Sequence, residues 1–205
     1  MKNLQCAAVI PAAGLSSRME GFKPLLKIGE KTIIEHAIAR LESAGIDEIV
    51  IVLGHRAEEL IPIVETTSAR WLLNPRYRDD MFTSIQCGVS AYRNANNAFF
   101  VLPVDTPLVH PATVVRLQKI FRRDCATICY PTYNGRRGHP PLIDTSLTQD
   151  ILAYDGTGGL RGLLRRFEKQ ARNVEVEDPF VTMDADIPAD LARLRMAYLP
   201  QRKPV

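Results

Sequence analysis

The stretch Ala7 to Lys27, AAVIPAAGLSSRMEGFKPLLK, constrains this chain more than any other. Ala7-Ala8-Val9-Ile10 has the length and branched content of a buried strand, and it empties into Pro11-Ala12-Ala13-Gly14-Leu15-Ser16-Ser17, a turn of small residues. Small side chains leave backbone N–H groups uncovered, and such groups converging at a strand end form a concavity suited to anions. Arg18 and Lys23 lie further along the same loop. Two cations beside such a cradle match a polyphosphate better than a neutral ligand or a single carboxylate. A plain connection after a first strand is the structural alternative. The stretch is neither G-x-x-x-x-G-K-[ST] nor G-x-G-x-x-G, so a nucleotide site of another kind is required.

The rest of the chain alternates strand and helix. Thr32 with Glu35 forms a capping box ahead of a helix marked by Ile34, Ala37, Ile38 and Leu41, which Gly45 stops. Glu48 to Leu53 is a buried strand ending at Gly54, and strand, helix, strand implies a right-handed parallel unit. A second helix begins at His55 to Leu60, which Pro62 curtails or kinks. Arg70 to Leu73 reads as a third strand running into Asn74-Pro75, where the residue before proline is held extended. A helix over Ile85 to Tyr92 comes next; Thr83 and Ser84 stand where hydroxyls cap, so capping and ligand contact are both open for Ser84.

Ala98 to Val104 is the most apolar strand, and Asp105 stands at its carboxyl end, where open α/β sheets bind ligands. Asp105 is the leading candidate for holding a metal, with capping of a helix near Pro111–Phe121 as the structural alternative. Cys125 to Tyr130 is a further strand, with Cys125 and Cys129 on one face as small buried residues. In the hairpin over 134–143, Gly135 and Gly138 call for unusual backbone angles, and Pro140-Pro141 stiffens the residues just beyond. Asp155 to Leu164 is a glycine-rich turn entering an Arg-bearing helix, either an anion site or a connector. Asp184 and Asp186 share a face if the segment is a strand; Asp186 is alternatively the N-cap of a helix reaching towards Tyr198. His36 reads as a structural histidine and His110 as a surface loop residue.

Composition narrows the function classes. A length of 205 residues suits one domain over residues 1–199, with a tail at 200–205, and 46% hydrophobic against 24% charged residues is ordinary for a globular chain. A net charge of +3 with dispersed basic residues does not point to nucleic acid; Arg122-Arg123, Arg136-Arg137 and Arg165-Arg166 read as solvated faces. Four cysteines without metal-site spacing, no signal-peptide architecture and no apolar run of ~20 residues lead to the expectation of a reducing cytoplasm and no membrane span.

Ala12-Ala13-Gly14 with Ser16-Ser17-Arg18-Met19 and Lys23 resembles the signature loop of the nucleotidyltransferases with a GT-A-like fold, and within them the molybdenum cofactor cytidylyltransferases. Four later segments are similar to that family in the same order: Asn74-Pro75-x-Tyr77 with Thr83-Ser84; Asn134-Gly135-x-x-Gly138-His139-Pro140; the glycine-rich turn with Arg161; and Asp184-x-Asp186-Ile187-Pro188-x-Asp190. The chain departs from the family at Asp80, where relatives have glycine, at Glu20, at Ile187 in place of threonine, and in the glycine-rich turn, where the acidic residue Asp155 precedes Gly156 instead of following a glycine.

The resemblance implies a three-layer, Rossmann-like α/β fold with a mostly parallel sheet and helices on both faces. It implies a Mg²⁺-dependent transfer of CMP from CTP to molybdopterin, forming the cytosine dinucleotide cofactor and releasing pyrophosphate. Ala12, Ala13, Gly14, Arg18, Lys23, Asn74, Ser84 and Asp105 would bind the nucleotide, with Arg18, Lys23 and Asp105 as the catalytic set. Asp105 and Asp186 would hold the metal, with Asp184 in reserve, and His139 and Arg161 would meet the second substrate. A molybdenum hydroxylase or its cofactor-insertion chaperone would receive the product. A GTP-using molybdopterin guanylyltransferase, a sugar-phosphate nucleotidyltransferase and a non-catalytic molybdopterin carrier are the alternative readings.

Overall fold

The computed structural model describes residues 4–92 and 97–198, so the expected tail at 200–205 lies outside it. The first apolar run forms β1 (Cys6–Pro11), buried along its whole length. Its successive residues serve two cores: Ala8 and Ile10 belong to one, Ala7 and Val9 to the other, as the two-residue period of a strand buried on both faces requires. A short hairpin of β2 (Lys27–Ile28) and β3 (Lys31–Thr32) precedes α1 (Ile33–Ser43). The capping box is present as expected: Glu35 N–H donates to Thr32 Oγ1, and Thr32 N–H donates to the Glu35 carboxylate at 2.7 Å.

β4 (Glu48–Leu53) pairs parallel with β1, and β5 (Arg70–Leu73) pairs parallel with β4. Between them runs α2 (Ala57–Val64), with Pro62 in its last turn and the end two residues beyond. α3 begins at Met81, not Ile85, and runs to Val89. Its N-cap is Asp80, whose side chain accepts the N–H of Thr83 at 2.8 Å. Ser84 therefore lies in the first turn and a half of the helix, not at its cap. The residue that departs from its relatives supplies the capping oxygen, in extended backbone open to any residue.

β6 (Ala98–Val101) pairs parallel with β1 on its other side and ends three residues earlier than its apolar sequence suggests, because Pro103 interrupts the ladder. α4 (Pro111–Asp124) comes next. Asp178, not Asp105, closes its start by accepting from His110 N–H and Thr113 Oγ1, each at 2.8 Å. β7 spans Ile128–Tyr133, three residues later than the sequence indicates. Cys125 ends α4 in a left-handed conformation and is exposed, while Cys129 is buried, so the two do not share a strand face.

β7 turns through Asn134 and Gly135 into β8 (Arg136–Arg137), and β9 (Leu142–Asp144) inserts antiparallel between β6 and β7. Gly138 is not at a positive φ; the position is restricted because an added Cβ would stand 2.1 Å from the Val181 carbonyl oxygen. Two short helices, α5 (Thr148–Ala153) and α6 (Gly159–Leu164), lead to β10 (Ala171–Glu175), parallel to β7 at the sheet edge. The chain continues through a 3-10 turn at Pro179–Thr182 into α7 (Pro188–Tyr198).

The main sheet runs β10-β7-β9-β6-β1-β4-β5, with β8 attached to β7. Residues of α1, α4 and α7 pack into the core on one face, and α3, α5 and α6 supply the other, which gives three layers. His36 is buried, with Nε2 2.7 Å from the Ile28 carbonyl and its ring edge-on to Tyr198, a structural role as expected. No helix among the described residues is long and apolar enough to cross a membrane.

Candidate active site

The turn after β1 opens into a cleft lined by Ala12, Ala13, Gly14, Arg18, Lys23, Ser84, Asp105 and Asp186 together with Leu15, Tyr77, Asp80 and Met81. Residues from four distant parts of the sequence thus meet at the carboxyl end of β1, in the position where parallel sheets bind ligands. Ala12 N–H is committed to the Val52 carbonyl at 2.8 Å, so Ala12 contributes only a small wall. Ala13 accepts from His55 N–H through its carbonyl, while the amides of Ala13 and Gly14 have no hydrogen-bond partner among the described residues. Behind the turn, Gly54 at the end of β4 admits Tyr77 and Ala13 so closely that an added Cβ would lie 2.5 Å and 2.8 Å from them.

Ser16 folds the loop back. It adopts a left-handed conformation (φ 56°), its carbonyl accepts from Met19 N–H, and its Oγ accepts from Lys23 N–H at 3.0 Å. Pro24, buried in a 3-10 turn, fixes the chain just past Lys23 and aims that side chain inward. Lys23 Nζ then lies 3.5 Å from Asp105 and 3.0 Å from Asp186, and Arg18 reaches Asp186 at 3.2 Å. Lys23 and Asp105 side chains are 13% and 17% exposed, whereas Arg18 is 68% exposed, so the pair at the base is shielded and Arg18 stands at the mouth.

The two acids reach this point by different routes. Asp105 sits in the turn after Pro103, closed by Thr106 N–H donating to the Pro103 carbonyl. Asp186 is not a helix cap. Ile187 before Pro188 is kept out of helical backbone, and Asp190 in the first turn of α7 accepts the N–H groups of both Asp186 (3.1 Å) and Ile187 (3.0 Å). That arrangement leaves the Asp186 carboxylate for the cleft. Asp190 is itself paired with Arg193.

Burial raises the Asp105 carboxyl above its ordinary pKa, against the pull of Lys23 and with the push of Asp186. Two carboxylates converge on a single ammonium, close enough that one depresses ionisation of the other, and as hard oxygen donors they could together hold a divalent cation. Among the described residues no group of three or more His, Cys, Asp or Glu is placed to hold a metal by itself. Asp184 does not join this pair: the segment is not a strand, and Asp184 is exposed and outside the cleft lining.

Asn74 does not line the cleft either. It is buried behind it, with Nδ2 donating to Ser84 Oγ at 2.9 Å. His139 and Arg161 line a second cleft, with Tyr130, Arg136, Arg137 and Leu160. His139 is accessible from that cleft yet close enough to Asp105 and Asp184 to feel both carboxylates, while the surrounding protein lowers its pKa. Asp105 of the first cleft and His139 of the second thus act on one another electrostatically. Arg137 is latched by Glu168 and stacked on Tyr130, 4.2 Å from the ring centroid. Ser16 and Tyr77 stand in family-like segments that assign them no role, and Met81 carries no chemical signal in the sequence; the left-handed backbone of Ser16 marks it only in the fold.

Residues 8–190 match the family model for the MobA-like NTP transferase domain. The chain belongs to this family. Its fold is the GT-A-like fold of the nucleotidyltransferases, as the resemblance implied, and its family chemistry is nucleotidyl transfer. The chain is 28% identical over 202 residues to the molybdenum cofactor cytidylyltransferase of Escherichia coli (strain K12), covering 97% of this chain and 98% of that protein. It is also 28% identical over 200 residues to the nicotine blue oxidoreductase of Paenarthrobacter nicotinovorans, covering 94% and 98%. A solved nucleotidyl transferase from Methanothermobacter thermautotroptrophicus superposes with a TM-score of 0.84 at 26% identity, covering 97% of this chain and 99% of that one.

Proposed function

We propose that this MobA-like nucleotidyltransferase transfers the CMP group of CTP to the terminal phosphate of molybdopterin, releasing pyrophosphate. The observation that carries the reading is Lys23 seated between Asp105 and Asp186 beneath a loop with open amides. The 28% identity to a molybdenum cofactor cytidylyltransferase over nearly the whole chain supports the choice of substrates.

A phosphate oxygen of the acceptor forms a bond to the α-phosphorus of CTP as the bond to the bridging oxygen of pyrophosphate breaks. The attacking oxygen is already anionic, so the site needs in-line positioning and charge neutralisation rather than a protein nucleophile. The amides of Ala13 and Gly14 cradle the triphosphate, and Lys23 and Arg18 exchange their carboxylate partners for phosphate oxygens. Asp105 and Asp186 are the residues that would hold Mg²⁺, which supplies Lewis-acid neutralisation of phosphoryl charge when bound. The acceptor occupies the second cleft, with Arg161 against its phosphate and His139 within electrostatic reach of Asp105 in the first. The enzyme works in the cytoplasm, and its product passes to a molybdenum hydroxylase or its insertion chaperone.

The test is a nucleotide panel with Mg²⁺ and purified molybdopterin, monitoring pyrophosphate. Release with CTP well above that with GTP is expected. Equal rates with the two would overturn the base assignment, and no molybdopterin-dependent release with any nucleotide would overturn the reading.

A further inference from the structure

The first cleft has two unlike sides. Its cations and acids, Arg18, Lys23, Asp105 and Asp186, come from the first loop and from the turns bearing the acids, whereas the segment joining β5 to α3 contributes Tyr77 and Asp80 and the start of α3 contributes Met81 and Ser84. Met81 and Leu15 present large apolar surface there, 53% and 51% exposed, as suits the flat face of a base. Within that side the polarity of one hydroxyl is fixed from behind.

Asn74 is 3% exposed and every polar group of its side chain is used. Arg76 N–H donates to Oδ1 at 2.9 Å, which settles which amide end is oxygen. Nδ2 must then donate, and its two hydrogens go to Thr83 Oγ1 (3.0 Å) and Ser84 Oγ (2.9 Å). The two hydroxyls differ in what they do with their own protons. Thr83 donates to the backbone carbonyls of Asp80 (2.9 Å) or Arg76 (3.1 Å). Ser84 is 2% exposed, lines the cleft, and has no acceptor for its proton among the described residues. A buried hydroxyl that accepts from one side and has no protein acceptor keeps its proton for a water or a ligand in the cleft.

We infer that Asn74 is a positioning residue that turns Ser84 into a fixed hydrogen-bond donor, so that the cleft orients the nucleobase with an acceptor edge towards Ser84 Oγ. The inference rests on the nucleotide-transfer reading and adds to it the polarity with which the base is read and the residue that sets it. Asn74→Asp tests it sharply. The added carboxylate oxygen replaces Nδ2, accepts from Ser84 instead of donating, and draws the hydroxyl proton away from the cleft.

The experiment is calorimetric titration of CTP, UTP, GTP and ATP into the full chain with Mg²⁺, for wild type, N74D, S84A and the double variant. For the preferred nucleotide, N74D and S84A should each weaken binding about 5- to 20-fold, the scale of one hydrogen bond to a buried partner. The double variant should bind no more weakly than S84A, because Asn74 acts only through that hydroxyl. The KM for the nucleotide should rise with kcat held within about twofold. Additive losses, or wild-type affinity in N74D, overturn the inference while leaving the nucleotide reading intact. Should N74D fail to fold, N74S removes both Nδ2 donors and is held to the same outcomes. Failure of the wild-type chain to bind any of the four nucleotides sinks the reading itself and the inference with it.

Discussion

The N–H of Ala185 donates to the carbonyl oxygen of Asp105 at 2.9 Å. This bond ties the turn after β6 to the segment before α7, so the two acids of the first cleft are held in one frame by backbone rather than by their own side chains. A carboxylate can therefore be neutralised without releasing the loop that carries it.

Asp105→Asn should lower kcat by at least about 100-fold, on the scale of removing a preorganised charge from a phosphoryl-transfer site. Its melting temperature should stay near or above that of wild type, because burial already disfavours the ionised carboxyl. Pyrophosphate release together with a thermal melt checks both, and wild-type turnover would remove Asp105 from the catalytic set.

Lys23→Ala should lower kcat and kcat/KM together, by about 100-fold or more, since the ammonium meets charge that grows towards the transition state. A rise in KM alone would reduce Lys23 to a binding group. Steady-state kinetics across CTP concentrations separates the two.

Asp190→Ala removes the acceptor for two backbone N–H groups and should destabilise the fold by about 1 kcal/mol, the usual cost of a lost helix cap. It should also lower activity more than that loss explains, because Asp186 then loses its frame. Denaturant unfolding read beside turnover tests the pairing. Unchanged activity at full occupancy of the folded state would show that Asp186 needs no such support.

Glu35 gives a pH signature. Partial burial works against its ionised form, but hydrogen bonds from the Thr32 side chain and backbone outweigh it and lower the carboxyl pKa. A carboxylate with a depressed folded-state pKa adds stability above its unfolded value, here 4.5, and loses it as pH falls through the folded value. Glu35→Ala should thus cost about 1 kcal/mol at pH 7, with the gap to wild type narrowing below pH 4.5. A pH-independent gap in urea midpoints would contradict this account.

The parts of the fold written in local pattern are legible in the sequence. β1, β4 and β5 are continuous apolar or branched runs, and the Thr32–Glu35 box marks α1 to the residue. β9 and β10 are not legible. Three residues after Pro140-Pro141 carry too little pattern to announce a strand, and ARNVE at the sheet edge is mostly polar because little covers it. The start of α3 escapes sequence reading because Thr83 and Ser84 are as good at capping as Asp80, and only tertiary placement decides among them. Lys23, Asp105 and Asp186 can be singled out one by one from strand ends and loop chemistry. Their meeting cannot, since Lys23 and Asp186 stand 163 positions apart. The family resemblance puts Asn74 among the nucleotide-binding residues, whereas its buried side chain lies behind the cleft wall.

Gly54 shows how such a cleft can be altered from outside. With Tyr77 and Ala13 only 2.5 Å and 2.8 Å from where a Cβ would stand, a single methyl group there would push the turn after β1 and the Tyr77 segment apart, altering the mouth of the cleft without itself lining it. Substrate preference in this chain is consequently vulnerable at a residue that no inspection of the cleft's own lining would single out.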